Sequence, residues 1–98
     1  MLEYYINIMD EKLREVIDKK IDAIFAKPDE IKKIIESLDK LSTKTDDFSF
    51  GIIIGRLYNS FYYQSRRILQ RDPTEKEFSE FIEMLKQKQS DFLEKFSK

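Results

Sequence analysis

The stretch Phe48–Arg71, FSFGIIIGRLYNSFYYQSRRILQR, decides the fold class of this chain. Its opening, with β-branched isoleucines and a Phe-Ser-Phe alternation, has the character of a strand. No second strand candidate occurs in the chain, and an unpaired strand is not stable. The stretch therefore reads as a helix, and the chain as all-α. Read so, it holds the chain's only two glycines, Gly51 and Gly55, four residues apart in a helix interior. It also holds four of the five arginines and not one Asp or Glu.

Toward the C-terminus, the segment Arg71–Phe78, RDPTEKEF, must start another helix. Asp72 serves as N-cap, Pro73 takes the first helical position, and Glu75 reaches back in a capping box; Thr74 with Glu77 forms the alternative, frame-shifted box. This fourth helix carries Phe78, Phe81, Ile82, Leu85, Phe92, Leu93 and Phe96 on one face, with Gln89 as the single polar member of that line. The link to the third helix is very short, so the two form an antiparallel hairpin.

Toward the N-terminus, Ser42–Asp47, STKTDD, is a loop whose last Asp is suited to cap the third helix. Ahead of it, Ile6, Met9, Leu13, Val16, Ile17, Ile21 and Ile24 recur at spacings of three and four, the stripe of an amphipathic helix over Leu2–Phe25. The same period continues past Pro28 through Ile31, Ile34, Ile35, Leu38 and Leu41. Around Pro28 the pattern is compatible with two helices or with one kinked at the proline. The expectation is a single domain, residues 1–98, folded as a small antiparallel helical bundle of four helices, or of three with the first kinked at Pro28.

Composition narrows the chemistry. With 41% hydrophobic and 38% charged residues and only two Gly and two Pro, the chain is a charge-decorated helical protein. It has no Cys and no His, which removes thiolate chemistry and the commonest metal ligand and general base. The carboxylates read as lying among lysines on the polar sides of their helices, Glu36, Glu77 and Glu83 included, where none is poised for acid–base work. The chain is therefore expected to be non-catalytic, with no metal, cofactor or small-molecule substrate. No cleavable leader pattern opens it, and its longest apolar run is far short of the roughly 20 residues needed to cross a bilayer, so a cytoplasmic location is expected. The abundance of Lys, Glu and Ile matches the compositional habit of heat-adapted proteins.

Stepping 100° per residue around the third helix, Phe50, Ile54, Leu57, Phe61 and Ile68 form the expected core stripe. A second group, Gly51, Gly55, Tyr58, Tyr62 and Leu69, lies about 100° away and forms a shallow trough flanked by rings. Two glycines in a helix interior cost about 1 kcal/mol each relative to Ala, which points to a compensating contact. Three occupants are available: the short second helix, a second copy of the chain, or a different protein. Tyr4, Tyr5 and Ile8 stray from the first helix's stripe and extend the candidate interface.

These residues support association as the leading reading: a helical protein–protein interaction module acting as a homodimer or as a small accessory subunit of a larger complex. The alternative is an accessory subunit of a nucleic-acid-processing machine of polymerase or repair type. There Arg56, Tyr63, Arg66, Arg67 and Arg71 would contact phosphates and bases. Against it, positive charge in the last turns also complements the helix dipole, and Arg serves well in bridges to the acids of neighbouring helices.

Overall fold

Residues 9–96 are described in a computed structural model of the chain, and among them there are four α-helices and no strand. They are α1 (Glu11–Ala26), α2 (Asp29–Leu38), α3 (Thr45–Leu69) and α4 (Glu75–Phe96), with a 3-10 turn at Asp39–Leu41 after α2. The stretch that decides the fold class is thus helical as far as Leu69. No helix among the described residues is long and apolar enough to cross a membrane. Tyr4, Tyr5, Ile6 and Ile8 lie outside the described residues.

Pro28 separates two helices. The residue before a proline is pushed out of the helical region by the ring, and Lys27 accordingly sits at φ −133°, ψ 72°. Its N–H still closes the last turn of α1 by donating to the Ala23 carbonyl, at 3.0 Å. The three-helix alternative with a kinked first helix is therefore excluded. At its other end α1 is capped by Asp10, whose carboxylate accepts from the Leu13 N–H at 3.0 Å.

The α3–α4 connection uses the frame-shifted capping box. The Glu77 N–H donates to Thr74 Oγ1 at 3.2 Å, and the Thr74 N–H donates to Glu77 Oε1 at 2.9 Å. Asp72, expected as the cap, instead pairs with Arg66 at 2.6 Å, so the helix begins at Glu75 and Pro73 stands before it. α3 itself starts at Thr45, inside the expected loop, which places Asp46 and Asp47 in its first turn.

α3 ends on Gln70, which adopts a left-handed conformation at φ 57° and donates its N–H to the Arg66 carbonyl. A side chain is strained there and glycine is not. Gln70→Gly is expected to stabilise the chain by about 0.5–1 kcal/mol, read as a rise of roughly 3–6 °C in thermal unfolding.

The core is a three-helix arrangement with α2 laid against it. Phe61 on α3 stacks on Phe81 of α4 with centroids 4.4 Å apart, and Phe50 meets Phe92 at 6.3 Å, which sets the hairpin antiparallel. α1 runs parallel to α4, since Arg14 pairs with Glu80 near their starts and Phe25 stacks on Phe92 near their ends. Leu13, Ile17, Ile21 and Ile24 fill the space from α1, as their spacing predicts, joined by Met9 just ahead of the helix. From α2 only Ile31 and Ile35 are buried, while Leu41 beyond it stands 76% exposed.

On α3 the buried stripe is Ser49, Ile53, Leu57, Phe61 and Ser65, rotated away from the glycines relative to the expected one. Phe50, Ile54 and Ile68 are half-buried at its margin. On α4, Met84 joins the core, while Phe78 is exposed and Ile82 and Leu93 are half-buried.

Candidate interaction surface

The rotation of the α3 stripe decides what faces solvent. Gly51 and Gly55 are exposed, and a Cβ built at either would meet nothing within 4 Å among the described residues. α2 does not cover them. It packs on the far side of α3, where Lys27, Glu30 and Ile31 border Arg56, Leu57 and Ser60, and Glu30 pairs with Arg56 at 3.2 Å. The second helix is thereby corrected as the occupant of the glycine trough, because Arg56 projects about 100° around the axis from Gly55.

Next to the glycines stands an aromatic cluster shared by α3 and α4. The Tyr58 and Tyr62 rings lie 4.9 Å apart, and Phe78 of α4 meets Tyr58 edge-on at 6.0 Å. Tyr58 is 40% exposed and Phe78 38%. The Tyr58 hydroxyl raises the pKa of the Tyr62 phenol above its usual value, and the Arg66 guanidinium lies 5.9 Å from the Tyr62 ring. Leu69, expected on this face, is half-buried against the core.

Taken along the helix, Phe48, Gly51, Gly55, Tyr58 and Tyr62 are spaced three, four, three and four residues apart. That is the spacing of the seam along which two helices pack. α3 therefore has two apolar faces. One is filled by α1 and α4, and the other carries half-buried and exposed rings on either side of an open notch.

The arginines named for phosphate contact are largely engaged within the chain. Arg56 pairs with Glu30, Arg66 with Asp72, and Arg71 holds Glu77 through two bonds of 2.7 and 3.1 Å. The pairings with Asp72 and Glu77 raise the pKa of the Arg66 and Arg71 guanidinium groups respectively. Arg67 reaches Gln64 at 3.5 Å, and Tyr63 is exposed. Arg71 lies beyond the end of α3, on the connection.

Sequence reading missed two carboxylates. Glu77 and Glu80 are buried at 3% and 8% exposure, not on outward faces. Glu80 accepts from the Met9 N–H at 3.2 Å and pairs with Arg14, tying α4 to the start of α1. Glu77 closes the α4 cap and receives Arg71; chiefly that guanidinium holds its carboxyl below the usual range, against the opposing effect of burial. Each is matched to a cation and to a backbone N–H, an arrangement that fixes helix ends. Among the described residues no group of three or more acids is placed to hold a metal ion.

Comparisons with protein-family models, with curated proteins and with solved structures found no match for this chain.

Proposed function

We propose that the chain is a non-catalytic helical module that works by protein association through the outer seam of α3. One observation carries the reading: Gly51 and Gly55 lie open within a 25-residue helix, in line with exposed Tyr58, which in turn meets exposed Phe78. Helix-interior glycine costs about 1 kcal/mol relative to Ala, and among the described residues no contact makes use of the missing side chains. A close helix–helix approach uses them, and neighbouring rings supply area and hydroxyls for the partner.

The alternative, a phosphate-contacting subunit of a nucleic-acid machine, has less support. Three of its four guanidinium groups already pair with carboxylates, and the net charge of the chain is −1.

The test uses Gly51→Leu/Gly55→Leu, which fills the notch without touching the core. Immobilised wild-type chain is expected to retain a protein from its native cell extract, whether a further copy or another protein, that the variant does not retain. Identical retention by both, with both sedimenting as monomers, would overturn the reading.

A further inference from the structure

We propose that the groove where α1, the start of α2 and α3 meet is a binding site for phosphate-bearing anions. It lies on the Arg56 side of α3, away from the glycine and tyrosine seam, and stands or falls separately from the association reading. The groove offers about 270 Å³ and is lined by three cations, Lys20, Lys27 and Arg56, and by the Ser60 hydroxyl. Glu30 is the one acid among the described residues that line it. Its volume is at the small end of the range for ligand sites, room for one compact anion.

The net charge of −1 conceals how the charges are sorted. Stepping 100° per residue from Ile17, the acids Glu11, Glu15, Asp18 and Asp22 of α1 fall about 100–160° to one side, and Lys20 about 60° to the other. The acids share the side from which Arg14 and Phe25 reach α4. α3 adds no acid to the Lys20 side, since none occurs between Phe48 and Arg71. The groove on the opposite side of α1, between it and α4, is larger at about 540 Å³, yet it sets Asp22, Asp91 and Glu94 against Lys88 and Lys95. An anion is thus repelled from the roomier groove and drawn to the smaller one.

The floor beneath the cations is apolar, formed by Ile31 and Leu57 at 3% and 1% exposure. Charges of one sign over a low-dielectric wall focus their field on whatever enters. A carboxylate brings a single charge, whereas a phosphate group brings nearly two and three acceptor oxygens, which suits two ammonium groups and a guanidinium fork. Among the described residues neither Lys20 nor Lys27 has an ion-pair partner. The Arg56–Glu30 pair is exposed at both ends, 46% and 73%, and such pairs are exchanged at little cost.

Calorimetric titration of the full chain with tripolyphosphate at low salt tests the site. The wild type is expected to bind one equivalent with Kd below about 1 mM. Lys20→Gln/Lys27→Gln should bind about tenfold more weakly or worse, as charge-assisted contacts are lost. Lys88→Gln/Lys95→Gln removes the same two charges from the opposite groove and should stay within about twofold of wild type. Glu30→Gln releases Arg56 from its carboxylate and should bind about threefold more tightly. Lys20, Lys27 and Glu30 are all exposed, so these variants should keep the wild-type helical circular dichroism signal. A wild type that takes up no tripolyphosphate overturns the proposal. Equal weakening by the two lysine pairs does so too, because it reports net charge and not a site. A single-stranded oligonucleotide distinguishes the source of the phosphate. Binding that needs Lys20 and Lys27 and is displaced by tripolyphosphate assigns a nucleic-acid backbone; tripolyphosphate binding without it assigns a small free phosphate ester or polyphosphate.

Discussion

Phe61→Ala is expected to lower the stability of the chain by about 3–5 kcal/mol, the range for truncating a fully buried aromatic. Phe61 is completely buried, and its ring lies flat on Phe81 at 4.4 Å while its edge meets Tyr62 at 6.1 Å. It sits where the middle of α3 faces α4, so its removal empties the space that holds the hairpin together. Small domains have only about 5–15 kcal/mol of total stability. A loss of this size should lower the melting temperature by roughly 15 °C or more, read by the helical circular dichroism signal. Tyr63→Ala, two residues on but on the solvent side, should change stability by no more than about 0.5 kcal/mol. Equal melting of the two variants would mean that the α3–α4 contact is not held by this stack.

The helical architecture was legible because its determinants are local. Apolar residues three and four apart, a proline after Lys27, and a capping sequence before α4 each act within a turn or two. Where two local solutions competed, tertiary contacts chose. Asp72 and Thr74 were both competent caps; Arg66 captures Asp72, while Arg71 holds Glu77, so the box closes from Thr74. The rotation of the α3 stripe was not legible for a related reason. Apolar residues surround more than half of that helix, so periodicity alone does not say which of them α1 and α4 choose. The chain buries Ser49 and Ser65 in preference to Phe50 and Ile68, because small side chains let the neighbouring helices approach and Ser65 donates its hydroxyl to the Arg71 carbonyl at 3.0 Å.

The glycine and tyrosine group was found in the sequence by its angular position, and its openness came only from knowing where α2 lies. Pro28 and the turn at Asp39–Leu41 direct α2 to the Arg56 side of α3, and nothing in the local sequence of α2 specifies that side. Glu77 and Glu80 were misread because an acid among lysines ordinarily marks a solvated face. The signal that would have found them is spacing: Glu77, Glu80, Met84 and Leu85 follow the helical period together with Phe81, which puts the two acids in line with the core. A buried acid is tolerated there because Arg14 and Arg71 reach over from other segments.

Glu77→Gln is the complementary prediction, since it removes charge while keeping shape. At neutral pH the variant is expected to be less stable by about 2 kcal/mol, the scale of a charge-assisted hydrogen bond lost beside a buried acceptor. An amide still offers Thr74 an acceptor oxygen but turns a donor toward Arg71. The pH dependence identifies the cause. In the folded chain the Glu77 carboxyl titrates below its usual range, chiefly through the Arg71 guanidinium, whereas in the unfolded chain it titrates near the ordinary value of about 4.3. Its contribution is therefore fully present above the unfolded value and is lost as pH falls through the folded one. Wild-type stability should drop between about pH 5 and pH 3, and Glu77→Gln, which has no proton to bind at that position, should drop less over the same interval. The gap between the two unfolding curves must then narrow on acidification. A gap that is constant from pH 7 to pH 3 would mean that the carboxylate charge contributes nothing at this joint and that the cost of the variant lies in cap geometry alone.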